Sequence, residues 1–263
     1  MADARELPDP SGSAAELAAI DPSGSAAERA AGDQSGPAHG IWVLRHGESV
    51  ANVEGVIVSA VGPRALIEVG LTERGRRQAR DAARKAEGRG IGPEVVVLTS
   101  DFARAHQTAQ EFCDALGAHE PRLDERLRER GFGTHDEGPA SAYDLVWADD
   151  LARRESAQEV EPVSEVALRA CEVLRDADRI ARCAPVVLVA HGDVLQIMLA
   201  VGEGMDPYEH RSVPHLGNAE LRRVGPGRDP SGAGVTGMGA EASSTTAAVG
   251  VSTGVAGTGS DPE

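Results

Sequence analysis

Two histidines of this 263-residue chain follow apolar runs and are themselves followed by glycine. His46 comes after the run 40–44 and Arg45, and His191 comes after the run 186–189 and one alanine. Continuous apolar runs of this length indicate buried strands, and open α/β sheets bind their ligands beyond the carboxyl ends of such strands. We therefore expect both imidazoles at one ligand-binding edge, where the glycines permit tight turns and close approach to a ligand.

A third apolar run adds a cation, and a charged loop adds an acid. The run 95–98 is followed by a predicted helix with Arg104 in its first turn and Ser100 or Asp101 as the expected cap. An arginine beside a helix N-terminus is typical of an anion site. Further along, Glu129 stands among arginines, directly before a glycine-containing loop. This loop therefore supplies a carboxylate to accompany the two imidazoles and the arginines.

Two imidazoles, several guanidinium groups and one carboxylate suit phosphoryl transfer without a metal ion. Arginine forks match the oxygens of a phosphoryl group, and a neutral imidazole can attack phosphorus. A carboxyl group of raised pKa can protonate the leaving alkoxide. A metal-dependent phosphatase needs clustered Asp and His ligands, and the sequence contains no HxH or HExxH array. We therefore expect neither a metal nor another cofactor.

The elements that must position these groups alternate between strand and helix. Strands are predicted at 40–44, 95–98 and 186–189, with an edge strand at 219–224. Helices are predicted near 72–88 (capped by Thr72), 102–116, 140–151, 163–182 and 194–201. Apolar strands separated by helices predict an α/β fold, with a mostly parallel sheet covered by helices on both faces.

The ordered motifs resemble those of the histidine phosphatase superfamily, also called phosphoglycerate-mutase-like. The similarity rests on the blocks 44–49, 71–75, 99–104 and 189–192, and on 127–133, which resembles the acid loop of the mutase-like branch. The resemblance implies the family's three-layer sandwich. It also implies a role for each residue of the constellation. His46 would take the phosphoryl group, Arg45, Arg104 and His191 would bind it and stabilise the transition state, Glu129 would donate a proton and later activate water, and Asn52 would be a further phosphate contact.

The family contains phosphatases, which give the phosphoryl group to water, and mutases, which return it to a substrate. Its mutases resemble one another in a long insertion after the acid, with paired arginines that hold a substrate carboxylate. Here 61 residues separate Glu129 from His191, and the one paired step, Arg153-Arg154, lacks that context. We therefore expect a phosphatase, a phosphoric monoester hydrolase that acts on a small phosphomonoester metabolite through phosphohistidine at His46. A cofactor-dependent phosphoglycerate-type mutase and a non-catalytic phosphate-ligand binder stay open as alternatives.

Some positions near these motifs keep two interpretations. Arg130 either reaches the site or faces solvent, and the apolar segment 55–70 either lines the pocket or packs as a loop. Of the other histidines, His135 and His215 are the nearest to the acid loop and to the last strand. Trp147 is expected in the core or in a pocket wall.

The ends of the chain differ from its middle. Residues 1–39 contain an imperfect twelve-residue repeat and residues 225–263 are rich in Gly, Ser, Thr and Ala, so both are predicted to be disordered tails. The catalytic domain is then 40–224. A formal net charge of −16 argues against a nucleic-acid partner, and no stretch approaches the ~18 apolar residues of a membrane span. We expect a cytoplasmic protein whose partner is a small phosphorylated metabolite, and the sequence leaves a homodimer open.

Overall fold

The computed structural model describes residues 39–154 and 158–225. The predicted tails lie outside the described residues except at their inner ends, His39 and Gly225, and so does the twelve-residue repeat. Within the described residues, no helix has the length and apolarity needed to cross a lipid bilayer.

The described residues alternate between strand and helix, as the apolar runs predict. The strands are β1 (Ile41–Arg45), β2 (Val96–Thr99), β3 (Arg122–Leu123), β4 (Val186–Ala190) and β5 (Leu221–Arg223). The α-helices are α1 (Val50–Glu54), α2 (Glu73–Glu87), α3 (Ala103–Leu116), α4 (Ala142–Leu151), α5 (Val163–Ile180) and α6 (Gly192–Gly202). Short 3-10 turns occupy Glu125–Leu127, Gly133–His135 and Pro207–Ser212, and a π-helical turn occupies Arg64–Glu68.

The strands form one sheet in the order β3-β2-β4-β1-β5. The pairs β3–β2, β2–β4 and β4–β1 are parallel, and β5 runs antiparallel to β1 at the edge. This arrangement confirms the mostly parallel sheet and the edge strand near 219–224. The register sets Arg45 opposite Ala190 and Thr99 opposite Val189, so three chain segments leave the sheet at the same edge.

Helices cover both faces of the sheet, which confirms the three-layer α/β architecture. On one face, side chains such as Val43 and Leu188 pack against α5 and α6 in one core cluster. On the other face, Leu44 and Val187 pack in a second cluster with α2 and α3. The alternation of neighbouring residues between the two clusters follows from the two-residue period of a strand, and burial on both faces explains the unbroken apolar runs.

Helix α2 packs closely against α3 and the sheet because its buried face carries small residues. Thr72 caps it through a hydrogen bond that its side chain accepts from the Gly75 amide, as predicted. The buried residues of the helix are Gly75, Ala79, Ala82, Ala83 and Ala86. A Cβ on Gly75 would lie only 2.1 Å from the carbonyl oxygen of Glu48, so this turn of the helix requires glycine.

Three local predictions were incomplete or wrong. Neither Ser100 nor Asp101 caps α3, because the helix begins at Ala103 and Phe102 occupies the N-cap without a side-chain bond. Strand β3 was missed because its two residues are exposed and form no apolar run. Helix α1 was missed because five residues are too few to show a helical period.

Candidate active site

His46 and His191 lie side by side at the carboxyl edge of the sheet. The amide of His46 donates to the carbonyl of Ala190 across β1 and β4, with an N···O distance of 2.9 Å. His191 follows Ala190 and occupies the N-cap of α6. The two imidazole centroids are 5.2 Å apart, and both side chains are buried.

The surroundings of His46 define one neutral tautomer. Its Nδ1 lies 2.8 Å from the carbonyl oxygen of Gly47, and because a carbonyl only accepts, Nδ1 carries the proton. Burial, together with the positive charges of Arg104 and Arg45, holds the pKa of His46 well below its usual value. The ring is therefore neutral at physiological pH, with an unprotonated Nε2 whose lone pair is available for attack.

Arg104, which is buried, and Arg45, which is partly buried, supply positive charge with unused donors. Nη1 of Arg45 donates to the Leu216 carbonyl at 2.6 Å, and Nη2 of Arg104 donates to the Val58 carbonyl at 2.9 Å. Nε of Arg45 and Nη1 of Arg104 are buried without a partner in the described residues. Burial lowers the pKa of each guanidinium, and the nearby carboxylate of Glu129 opposes that change. Arginine stays charged under these conditions, so the two free donors suit an anion.

His191 lies against His46, outside the pocket wall, and its imidazole is also neutral. Burial and the charge of Arg104 hold the pKa of its ring well below its usual value. Nε2 is 3.0 Å from Oγ of Ser100, which itself accepts from the Phe102 amide at 3.2 Å. The serine hydroxyl can donate to Nε2, which leaves Nδ1 as the protonated nitrogen, buried without a partner in the described residues.

Glu129 is a buried carboxyl group that can hold a proton. Its Oε1 accepts from the amide of Arg130 at 3.0 Å and from the amide of Val194 at 3.2 Å. Burial, with the negative charge of Asp193, raises the pKa of Glu129 despite these bonds and the nearby Arg104. Only 8% of the residue is exposed, so desolvation outweighs the donors.

Five of the six predicted site residues line a single pocket of about 210 Å³: Arg45, His46, Asn52, Arg104 and Glu129. The sixth, His191, lies next to this pocket against His46 rather than in its wall. Asn52 uses its Oδ1 to accept from the amide of Ser49 and from Nδ2 of Asn218, each at 3.1 Å. Its own Nδ2 has no partner in the described residues and is the group that it can offer to a ligand.

The structure also resolves the positions that the sequence left open. His215 lines the pocket, and its Nε2 accepts from Nη1 of Arg45 at 2.8 Å. Arg130 neither lines the pocket nor faces solvent, because its buried guanidinium pairs with Asp150 and Asp193. His135 is not part of the pocket wall.

Aromatic and apolar side chains complete the wall. Trp147 lines the pocket, in agreement with its predicted place, and Tyr143 was missed. Their spacing of four residues within α4 was the available signal, since residues four apart share a helix face. Val56 and Val58 also line the pocket, so part of the segment 55–70 forms the wall while Val69 packs in a small core cluster.

The arrangement provides a nucleophile, an anion site and an acid in one pocket. In the parts of the chain that the structure describes, no three side chains of His, Cys, Asp or Glu cluster as the ligands of a metal ion would. A phosphoryl group could meet Nε2 of His46 while the free donors of Arg45 and Arg104 bind its oxygens. Glu129 in its protonated form could then reach a leaving oxygen.

Comparisons with known proteins found a matching family and similar sequences and structures. The profile of the "Histidine phosphatase superfamily (branch 1)" matches residues 41–231. A probable phosphoglycerate mutase GpmB of Cronobacter sakazakii is 30% identical over 196 residues, which cover 70% of this chain and 83% of that protein. Two solved structures are similar. A protein described as mycobacterial hydrolase 1 has a TM-score of 0.59 and 25% identity, over 71% of this chain and 88% of that one. A mycobacterial glucosyl-3-phosphoglycerate phosphatase in complex with VO3 has a TM-score of 0.58 and 26% identity, over 71% and 92%.

The profile match spans most of the chain and includes every residue of the predicted constellation. The resemblance that the motifs suggested is thereby confirmed, and the chain belongs to branch 1 of the histidine phosphatase superfamily.

Proposed function

We propose that this protein is a metal-independent phosphatase that hydrolyses a small phosphomonoester through a phosphohistidine at His46. One observation carries the proposal. A neutral imidazole with a free Nε2 shares a pocket with two guanidinium groups that each retain a buried N–H donor without a partner in the described residues. This combination suits a phosphoryl group that is both attacked and held at one place.

In the first step, the substrate phosphoryl oxygens bind Arg45 and Arg104, and Nε2 of His46 attacks phosphorus. The N–P bond forms as the P–O bond to the alcohol breaks, and the departing oxygen takes the proton of Glu129. Phosphorylation makes the His46 ring cationic, and the bond from Nδ1–H to the carbonyl of Gly47 stabilises that charge.

In the second step, Glu129 is ionised and accepts a proton from water as the water oxygen attacks phosphorus. The N–P bond breaks, inorganic phosphate leaves, and His46 and Glu129 return to their starting states. The raised pKa of Glu129 favours its recovery of a proton from water in this second step.

A phosphoglycerate-type mutase is the second candidate, and the similarity to a probable phosphoglycerate mutase favours it. The position of the paired arginines supports hydrolysis instead. Arg153 pairs with Asp206 and Arg154 pairs with Asp149, in exposed positions that do not line the pocket. These cations are therefore engaged outside the pocket.

The test is hydrolysis of p-nitrophenyl phosphate by wild type and by His46→Ala, with EDTA present throughout. His119→Ala is the matched control, because His119 is exposed and does not line the pocket. We expect activity that resists EDTA, persists in the control and is lost in His46→Ala. Activity that requires a metal or survives in His46→Ala would contradict the mechanism. Isomerisation of 3-phosphoglycerate without release of phosphate would establish the mutase.

A further inference from the structure

Part of the pocket wall beyond the two arginines is apolar and aromatic, and Ser49, Asn52 and Gln196 add neutral polar groups to the rest. Val56 and Val58 come from the segment after α1, Ala140 from the turn before α4, and Tyr143 and Trp147 from α4 itself. These side chains offer an alcohol group dispersion contacts and an aromatic surface. They provide no charge to bind a polar substituent.

The aromatic part of this wall is held in place. The ring of Tyr143 stacks on Trp147 at 5.3 Å and meets Phe132 edge-on at 4.7 Å. Nε1 of Trp147 donates to Oδ1 of Asp193 at 2.8 Å, and the guanidinium of Arg211 lies 3.5 Å from the centroid of the indole ring. A ring fixed in this way loses little freedom when a ligand packs against it.

The charges of the wall disfavour a second anion on the substrate. Among residues 39–154 and 158–225, the cationic side chains in the wall are Arg45 and Arg104, which the phosphoryl group would use. His215 is the other basic residue there, and burial with the nearby Arg45 lowers the pKa of its ring. Asp193 also lines the pocket, and its pKa is lowered to about 2 by its bonding partners, so it carries a negative charge.

The size of the pocket limits the alcohol. Drug-sized ligands occupy pockets of about 300–1,000 Å³, and an engineered apolar cavity of about 150 Å³ holds benzene. A volume of about 210 Å³ is therefore consistent with a phosphoryl group and an alcohol of roughly one ring.

We propose that the preferred substrate is a compact phosphomonoester whose alcohol part is uncharged, without a carboxylate or a second phosphate. This inference rests on the proposed phosphatase activity and names its substrate class. The names of several relatives refer to phosphoglycerates, whose alcohol part carries a carboxylate. In this pocket such a carboxylate would be buried without a further cation, so we expect a different substrate class for this chain.

Three aryl phosphates test the proposal on the full-length protein: phenyl phosphate, 4-carbamoylphenyl phosphate and 4-carboxyphenyl phosphate. The last two have nearly the same shape and differ in charge. With phosphate release as the readout, we expect kcat/KM for the carbamoyl ester to exceed that for the carboxyl ester by at least about tenfold. A ratio near one, or a preference for the carboxylate, would overturn the substrate assignment. No hydrolysis of any of the three would overturn the proposed function itself.

A pair of variants locates the cause of the discrimination. Val56→Lys places a cation in the wall, and Val56→Met is the uncharged control of similar length. We expect the ratio to fall several-fold in Val56→Lys and to stay near the wild-type value in Val56→Met. An equal ratio in both variants would overturn the assignment to a missing cation. Ala140→Lys and Ala140→Met repeat the comparison at a second position of the wall, should the first pair fail to fold.

Discussion

Gly47, the residue after the proposed nucleophile, leaves no room for a side chain. A Cβ built on it would lie 2.5 Å from the carbonyl oxygen and 2.9 Å from the carbonyl carbon of Gly75, both backbone atoms of α2. Ordinary contact of a Cβ begins at 3.4 Å, so Gly47→Ala must move one backbone away from the other by about 0.9 Å. The helix is packed against α3, and the movement will fall mainly on the loop after β1.

That movement would displace His46. The carbonyl of Gly47 accepts from Nδ1 of His46, and the amide of Gly47 donates to Oγ1 of Thr108 at 3.0 Å. The first bond orients the imidazole and the second holds the loop that carries it. A shift of the loop therefore turns Nε2 away from the phosphoryl position. A misplacement of about 1 Å can cost about 10²-fold in rate. We therefore expect kcat of Gly47→Ala to fall about 100-fold.

The assay is the steady-state hydrolysis of p-nitrophenyl phosphate, combined with thermal unfolding of each variant. Gly88→Ala is the control, because Gly88 has an αR backbone and its nearest neighbour to a new Cβ is 3.6 Å away. A folded Gly47→Ala with kcat within about twofold of wild type would refute the reasoning. An equal loss in Gly88→Ala would show that the effect is not specific to the contact.

Three further outcomes follow from buried charges. Glu129→Gln should lower kcat/KM, which reports the phosphorylation of His46 and not the later hydrolysis, by about 10²–10⁴-fold for phenyl phosphate and much less for p-nitrophenyl phosphate, whose leaving group needs little protonation; equal losses in kcat/KM would contradict an acid role. The rate should be lost as pH rises through the pKa of Glu129, which the charge of Asp193 helps to raise, so Asp193→Asn should move this limb of the pH–kcat/KM profile to lower pH. An unmoved limb would exclude the coupling. Arg130→Met should cost about 3–5 kcal/mol of unfolding free energy in urea, because it leaves Asp150 and Asp193 buried without their cation; a loss below about 1 kcal/mol would contradict this.

Much of the fold could be predicted because burial on both faces of a parallel sheet produces continuous apolar runs in the sequence. The runs that became β1, β2 and β4 are apolar at successive positions, and the helices between them show small or apolar residues at helical spacing. The strand ends then placed His46, Arg104 and His191 at one edge without any knowledge of distances. Short exposed elements such as β3 and α1 show neither an apolar run nor a helical period, so they could not be predicted.

The remainder of the site depended on partners distant in sequence. Arg130 stands beside Glu129 in the chain, yet its guanidinium turns to Asp150 and Asp193, which are 20 and 63 positions away. A side chain among charges has several candidate partners, and only the folded positions of Asp150 on α4 and Asp193 on α6 select between them. The wall residues Val56 and Val58 were ambiguous for a similar reason, since apolar side chains pack equally well in a core and in a pocket.

The net charge of the chain is negative and the groups that would bind a phosphoryl group are positive, so distance decides which of the two charges a substrate experiences. The net charge of −16 repels an approaching phosphate ester, but salt screens exposed charges beyond about 8 Å at physiological ionic strength. Inside the pocket, other N–H groups of Arg45 and Arg104 bond to the Leu216 and Val58 carbonyls and fix the two guanidinium groups, while Nε of Arg45 and Nη1 of Arg104 keep buried donors without a partner in the described residues. A bound phosphoryl group would give both donors a charged acceptor, and hydrogen bonds to charged groups contribute about 1.5–3 kcal/mol each. Binding would thus depend on contacts made within the pocket, and an ester with a second anion would gain nothing from the rest of the molecule.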